Sequence, residues 1–256
     1  MAGKTPEEAW WHTAIIDMAP GRIALRGAPI QDLIGQMGFA EMIWFLARGE
    51  RLEPARLRLL EAALVAAVDH GPQAPSIAAA RMAMTCGVAI NNAMATGLNM
   101  LGDVHGGAGA QAVELFEMCE NNGLEAGLQV WRTQHGPYLP GFGHRFHKDG
   151  DPRAPALLGL VDEAVVAGAV SGWAAAQARA IGARLHKEKG RLLPLNIDGA
   201  TAVIFAELGA PPQLARGLFC LSRSVGLMAH AQEQSEQGGR NKGPTRPDEG
   251  WRYDGP

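Results

Sequence analysis

The stretch Gly141-Phe142-Gly143-His144-Arg145-Phe146-His147-Lys148-Asp149-Gly150-Asp151-Pro152-Arg153 gathers imidazole, cation and carboxylate groups into one glycine-punctuated segment. Each residue type there has a chemical use. Glycine lets a backbone come close to a bulky ligand, His144 can exchange or donate a proton near neutral pH, and Arg153 can grip a carboxylate with two parallel hydrogen bonds. Pro152 fixes its own φ and restricts Asp151 before it, so the segment closes on a defined corner. On its own, the same segment also reads as a basic turn between two helices. Two other stretches bear on that choice. Asp103-Val104-His105-Gly106-Gly107-Ala108 sets a second histidine ahead of two glycines at a helix start, and Leu195-Asn196-Ile197-Asp198-Gly199 ends a short apolar run with a carboxylate.

Taken together, the three stretches resemble the signature of the citrate synthase family and its close relatives, the citryl-CoA lyases. In that family His-Gly-Gly, Gly-x-Gly-His-Arg with Asp-Pro-Arg, and Asn-x-Asp supply the active site in this chain order. A fourth match, Leu221-Ser222-Arg223-Ser224-Val225-Gly226 followed by His230 and Glu233-Gln234, looks like the family's C-terminal helix. The resemblance runs from Ile16 to the tail and omits the extra N-terminal helical region of full-length citrate synthases. The compact form, with Asp69-His70-Gly71-Pro72 and Leu195-Asn196-Ile197-Asp198-Gly199, looks more like stand-alone citryl-CoA lyases and the lyase module of ATP-citrate lyase.

Making or breaking the carbon bond between acetyl-CoA and an α-keto acid passes through a thioester enolate. The methyl group is a very weak acid, so the thioester oxygen needs a donor where negative charge develops. The resemblance implies that Asp198 moves the methyl proton, that His105 donates to the thioester oxygen as a neutral imidazole, and that His144 serves the oxygen of the other substrate. It further implies that Arg153, Arg223 and His70 hold a dicarboxylate such as oxaloacetate. Arg246, in Thr245-Arg246-Pro247, matches an arginine that reaches a neighbouring subunit's site, across a stretch after Arg223 that is longer and more glycine-rich than usual. Lys148, Gly141, Gly143 and Asn196 fall on the coenzyme A side. Lys187, Lys189 and Arg191 could add charge there or form a solvated basic turn. Coenzyme A enters as a thioester substrate; no permanently bound cofactor is implied.

The elements that must position these groups are helices. Short β-prone segments, Thr13 to Asp17 and Arg22 to Arg26, flank a Pro-Gly turn and predict a hairpin. Helices follow from Pro29, from Phe39 to Arg48, and from Pro54, where Leu57, Leu60, Leu64, Ala67 and Val68 share one face up to Asp69-His70-Gly71. The Ala- and Met-rich run from Ser76 to Met100 predicts a buried helical pair whose methionines serve packing. Further helices are expected at 110–121, 124–134, 154–167, 171–187, 199–208 and 213–234. The reading is an all-α, citrate-synthase-like two-domain helical fold with a minor β arm. A trimmed large domain (1–104 and 201–256) would clasp a small one (105–200).

Composition agrees with close-packed helices: of 256 residues 47% are apolar but only 6% aromatic, and the formal net charge is −3. No basic excess favours nucleic acid; the start, Met1 to Trp11, has no apolar leader region and no later run approaches a membrane span, and the expected location is the cytoplasm. Cys86, Cys119 and Cys220 lack paired spacing and read as reduced packing residues. His144, His147 and His105 lack the carboxylate or cysteine partners of a metal site. There is no Gly-x-Ser-x-Gly elbow, no Walker loop and no strand-glycine-helix dinucleotide unit. The expected activity is cleavage of citryl-CoA to acetyl-CoA and oxaloacetate. The alternatives are condensation by a citrate synthase or a methylcitrate or citramalyl-CoA relative, and a non-catalytic CoA-ester-binding protein. The resemblance implies a homodimer through helices, for which the Ala- and Met-rich run from Ser76 to Met100 is the expected place, with further assembly left open.

Overall fold

The computed structural model describes residues 11–144, 147, 150–246 and 248–256. Two compact units divide the chain between Arg58 and Leu59. In the first, strands β1 (Ile16–Ala19), β2 (Arg22–Leu25) and β3 (Ala28–Pro29) form an antiparallel sheet in that order. The register pairs Ile16 with Leu25 and Ala19 with Arg22. Gly21, with φ +74, supplies the turn that the Pro-Gly signal predicted. The expected hairpin is thus present and gains a short third strand. Helices α1 (Ile30–Leu33) and α2 (Phe39–Arg48) follow. Arg26 ties the sheet to α2 by donating to the Leu46 carbonyl at 2.6 and 3.1 Å, while Trp44 and Phe45 are buried.

Helix α3 (Pro54–Ala66) runs across the division. It stops three residues short of the expected end at Asp69. The reason lies in its final carbonyls, which side chains from elsewhere engage, as described below. The second unit contains α4 (Pro75–Thr85), α5 (Ile90–Asn99), α6 (Ala108–Asn122), α7 (Leu124–His135), α8 (Arg153–Val166), α9 (Trp173–Lys189), α10 (Ile197–Glu207) and α11 (Pro212–Gln237).

Helix α10 is apolar on every side, and all its residues except Asp198 are buried. It packs on α6, α8 and α9, and α11 packs on α4, α5 and α6. Small residues permit the closest approaches. At Gly97 an added Cβ would lie 2.3 Å from Leu227, and at Gly127 it would lie 2.6 Å from the Cys119 backbone. Ala74, Ile77, Ala80 and Leu227 form a core cluster with Met94 against it. The Ala- and Met-rich pair packs closely at these points and Met94 serves packing as its composition suggested, but the pair is not the buried one expected: in α5 only Ala93 and Gly97 are buried, and near-complete burial belongs to α10. Cys119 is buried and its thiol is pushed up to about 11 by burial, whereas Cys86, expected in the packing, is exposed at the α4 cap. Among the described residues, no helix is long and apolar enough to cross a membrane.

Two devices fix the helix ends near the cleft. Glu207, buried at the end of α10, accepts backbone N–H bonds from Gly172 (2.9 Å) and Ala174 (2.8 Å), satisfying otherwise unpaired donors at the start of α9. The glycine loop is stitched to the chain before α10: Gly143 N–H donates to Pro194 O at 2.7 Å and Asn196 N–H to Gly141 O at 2.9 Å. That contact leaves no room at Gly199, where a Cβ would sit 2.4 Å from the Gly141 carbonyl. Gly199→Ala is expected to destabilise the fold by about 1–3 kcal/mol through overpacking against backbone, read as a Tm fall of roughly 2–10 °C.

Candidate active site

A cavity of about 750 Å³ opens in the second unit, lined by the turn from His70 to Pro75, His105 with its flanking residues, Tyr138, His144, Asp198, Phe219 and Arg223. Three histidines, a carboxylate and an arginine singled out in the sequence thus meet in one space. Their surroundings assign them different states.

His105 precedes α6 and points toward the start of α4, where its Nε2 accepts the backbone N–H of Ser76 at 3.2 Å and lies 3.0 Å from the Ser76 hydroxyl. An Nε2 that accepts from an amide leaves the ring proton on Nδ1. Burial, and then the charge of Arg223, hold the His105 pKa below the ordinary imidazole value. His105 is therefore a neutral hydrogen-bond donor. His144 Nδ1 accepts the N–H of His147 at 3.0 Å, so the neutral ring carries its proton on Nε2. Burial, followed by the neighbouring His147, lowers its pKa. The His70 ring stands edge-on to His144 with centroids 5.4 Å apart, and burial with Arg153 and Arg223 also favours its neutral form.

Asp198 lies in the first turn of α10, two residues earlier than the helix was expected to begin. The cap is Asn196, whose side-chain oxygen accepts the Gly199 N–H at 3.1 Å. Asp198 is only partly accessible, and desolvation by the atoms crowded around it raises its pKa; the opposing charges of Arg223 and Arg153 do not cancel that rise. A carboxyl with a raised pKa is a stronger base and also holds a proton closer to neutrality.

Both arginines hang from the end of α3. Arg153 Nη1 donates to Ala66 O at 3.3 Å, Arg223 Nε to Ala67 O at 3.4 Å, and the Ser222 hydroxyl to Leu64 O at 2.5 Å. These carbonyls form the negative end of the helix dipole, a sound support for cations. Arg223 also stacks over the Phe219 ring at 5.0 Å. Arg153 is gripped by Asp151, whose Oδ1 accepts its Nε at 2.9 Å and whose Oδ2 accepts its Nη2 at 2.8 Å. The same carboxylate accepts the N–H of Arg153 at 3.1 Å and of Ile197 at 3.2 Å.

Ser76, Asp151 and Phe219 carried no role in the sequence reading. Phe219 stands one helical turn before Arg223, a spacing that could have suggested pairing, whereas Asp151 stands two residues before Arg153, a spacing that no helical rule pairs. Ser76 is 29 residues from His105 and no local pattern announces it. Gly141 is buried with φ +86, Gly143 has φ +76, and both ends of the Asn196 amide are engaged, its nitrogen donating to Gly143 O at 2.7 Å. Lys148 lies outside the described residues, and Arg246 lies in the exposed tail and not in the cavity lining. A second cavity, about 670 Å³, adjoins through Tyr138 and His144 and carries Lys189 and Arg191.

The family model described as "Citrate synthase, C-terminal domain" matches residues 47–248. This chain belongs to the citrate synthase family. It is 30% identical over 228 residues to an ATP-citrate synthase subunit 1 of Sordaria macrospora, covering 81% of this chain and 33% of that protein. A citrate synthase of Haloferax volcanii is 29% identical over 196 residues, covering 75% and 50% respectively. The chain thus spans between a third and a half of the length of these curated relatives. In structure it is similar to the citryl-CoA lyase of Hydrogenobacter thermophilus, with a TM-score of 0.84 and 31% identity over 96% of both chains. The fold also matches an ATP citrate lyase of Methanothrix soehngenii solved with citrate and coenzyme A, with a TM-score of 0.80 and 22% identity over 100% of this chain and 43% of that one. The fold expectation, helical with a small β arm, agrees with these likenesses.

Burial raises the Asp151 pKa, but hydrogen bonds and charge from Arg153 outweigh it and hold the carboxyl at about 2. A depressed carboxylate stabilises the fold above its unfolded pKa of about 3.9, and that contribution is lost as pH falls through the folded value. Thermal melts of wild type and Asp151→Asn are expected to differ by about 2 kcal/mol near pH 6 and to converge toward pH 2.

Proposed function

We propose that this chain cleaves citryl-CoA to acetyl-CoA and oxaloacetate. The observation that carries this reading is the pairing, in one cavity, of a neutral donor at His105 with a raised-pKa carboxyl at Asp198. Cleavage breaks the bond between the hydroxyl-bearing carbon and the thioester α-carbon. The hydroxyl proton leaves to Nε2 of His144, which must then carry its own ring proton on Nδ1 and give up the bond from the His147 N–H, and the oxygen becomes the ketone of oxaloacetate. The electron pair passes to the α-carbon, the enolate oxygen takes the hydrogen bond of His105, and protonated Asp198 returns a proton to carbon. A raised pKa keeps Asp198 available as that acid near neutrality, and a fixed donor at the oxyanion contributes about 3–4 kcal/mol.

Arg153, Arg223 and His70 hold the carboxylates of the oxaloacetate portion. Coenzyme A lies along the second cavity, with Lys189 and Arg191 toward its phosphates; Gly141, Gly143 and Asn196 shape the wall between the two, and Lys148 adds charge. Closure of residues 105–200 against 1–104 and 201–256 excludes water. The working unit is a homodimer in which Arg246 serves a neighbouring site. Support for cleavage comes from the likeness to the Hydrogenobacter enzyme, which extends over nearly all of both chains. Condensation remains the second reading, because relatives named citrate synthase match most of this chain and the same groups run the step in reverse.

The test is purified protein with synthetic citryl-CoA, following oxaloacetate and thiol separately. Oxaloacetate without stoichiometric free CoA is expected, with Asp198→Asn slower by roughly 10²–10⁴-fold. Free CoA with citrate would replace cleavage by the synthase reading. Binding without either product would leave a CoA-ester-binding protein. Because three imidazoles must be neutral, kcat/KM for cleavage is expected to fall on the acid side only below the ordinary imidazole value of about 6.5.

A further inference from the structure

One face of α11 carries a polar seam that starts in the cavity at Arg223 and continues beyond it through side chains that the reaction does not use. Arg223, Gly226, His230, Glu233 and Gln237 follow one another at alternating three- and four-residue steps and therefore share a stripe. Arg223 stands in the cavity. At Gly226 the chain leaving α3 crosses so closely that an added Cβ would lie 2.2 Å from the Val68 carbonyl. Beyond that crossing, His230 Nε2 lies 3.2 Å from Asp69 Oδ1. On its other side His230 Nδ1 lies 3.3 Å from Arg81 Nη1 and 3.8 Å from Glu233. Arg81, on α4, pairs with Glu233 and donates to Gln237 at 2.7 Å.

The hydrogen-bond directions follow from chemistry. A guanidinium only donates, so Nδ1 of His230 accepts from Arg81 and the ring proton sits on Nε2, the atom 3.2 Å from Asp69 Oδ1 in an ion contact whose alignment falls short of a hydrogen bond. Asp69 in turn accepts the Gly71 N–H at 3.1 Å through its other oxygen. This bond closes the turn that presents His70. Arg81 lies on the same helix whose first turn gives the Ser76 N–H to His105. The side chains of His230 and Arg81 are each only 18% exposed, so the middle of the relay is held against the helices, while Asp69 and Glu233 are more open. It joins the three elements that present His70, Ser76 and Arg223.

We propose that His230 is a positioning residue: by bridging Arg81 to Asp69 it holds the His70 turn and the start of α4 in register with Arg223, and so sets affinity for the dicarboxylate half of the substrate. This rests on the functional reading above for the identity of the ligand, but not for the linkage itself.

The experiment uses the full chain as wild type, His230→Ala and His230→Gln. Glutamine can place an amide N–H near the Nε2 position and keep the donor to Asp69, which alanine cannot. Oxaloacetate affinity is measured by calorimetry, citryl-CoA turnover by kcat and KM, and amide exchange over residues 68–76 by mass spectrometry. His230→Ala is expected to weaken oxaloacetate about tenfold and raise KM, with kcat changed less than about threefold, since a close N–H to carboxylate contact is lost away from the reacting atoms. Exchange over 68–76 should quicken, and His230→Gln should recover most of both effects. A purely structural role would lower Tm without this split or this rescue. Unchanged affinity and exchange in His230→Ala, or no recovery in His230→Gln, would overturn the proposal. If wild type itself bound no oxaloacetate, the functional reading would fail, and the exchange comparison would still decide whether His230 holds the turn. Should His230→Ala not fold, Arg81→Gln, which removes the charged donor to Nδ1, must quicken the same exchange or the relay is refuted.

Discussion

Two guanidinium groups held at one helix end repel each other, and a fold that keeps Arg153 and Arg223 together must offset that repulsion. The end of α3 does this with carbonyls from successive residues, Ala66 for Arg153 and Ala67 for Arg223. Asp151 adds one full negative charge at Arg153 and no more. The early stop of α3 belongs to this arrangement: carbonyls used by arginines face neighbouring helices in place of a further helical turn. Because Asp151 also accepts the Ile197 N–H, the same carboxylate that holds one arginine fixes the start of α10. The placements of the cations and of Asp198 are therefore one structural fact.

From that fact the electrostatics of the cavity follow. Positive charge nearby makes protonated imidazole costly, and burial adds to the cost, so His70 and His105 are both biased toward neutrality. The same positive charge would drive Asp198 toward its ionised form, yet desolvation prevails and its pKa rises. Neutral donors beside a carboxyl poised above its usual range suit enolate chemistry, where a proton must move to or from carbon while charge on oxygen is held by a fixed dipole. A fully exposed cluster of the same residues would have none of these biases.

Helix packing supplies the rigidity. Glycines at 97, 127, 199 and 226 stand where neighbouring atoms leave no space for a side chain, so the helices that bear the site are in contact at backbone distance. Glu207 anchors α9 to α10 by a similar logic, with a buried carboxylate satisfying backbone donors of another helix. The polar seam along α11 extends this control from Arg223 to His230 and joins it to α4.

The sequence by itself determined the helical class, the β arm, most helix spans, and the identity of His70, His105, His144, Asp198 and Arg223 as residues that meet. Periodicity, glycine and proline punctuation and the resemblance carried by short ordered motifs are local signals, and local signals survive in one dimension. Helix boundaries at α3 and α10 were less legible, because each is decided by side chains that arrive from elsewhere: Arg153, Ser222 and Arg223 on the α3 carbonyls, and Asp151 on the Ile197 amide. Cys86 was placed in the packing by its apolar neighbours, yet it caps an exposed helix end. Only the tertiary structure decided which ring nitrogen of His105 carries the proton, since that rests on the amide of Ser76, distant in sequence. The protonation bias of Asp198 was equally out of reach, because it comes from desolvation by helices that meet only on folding.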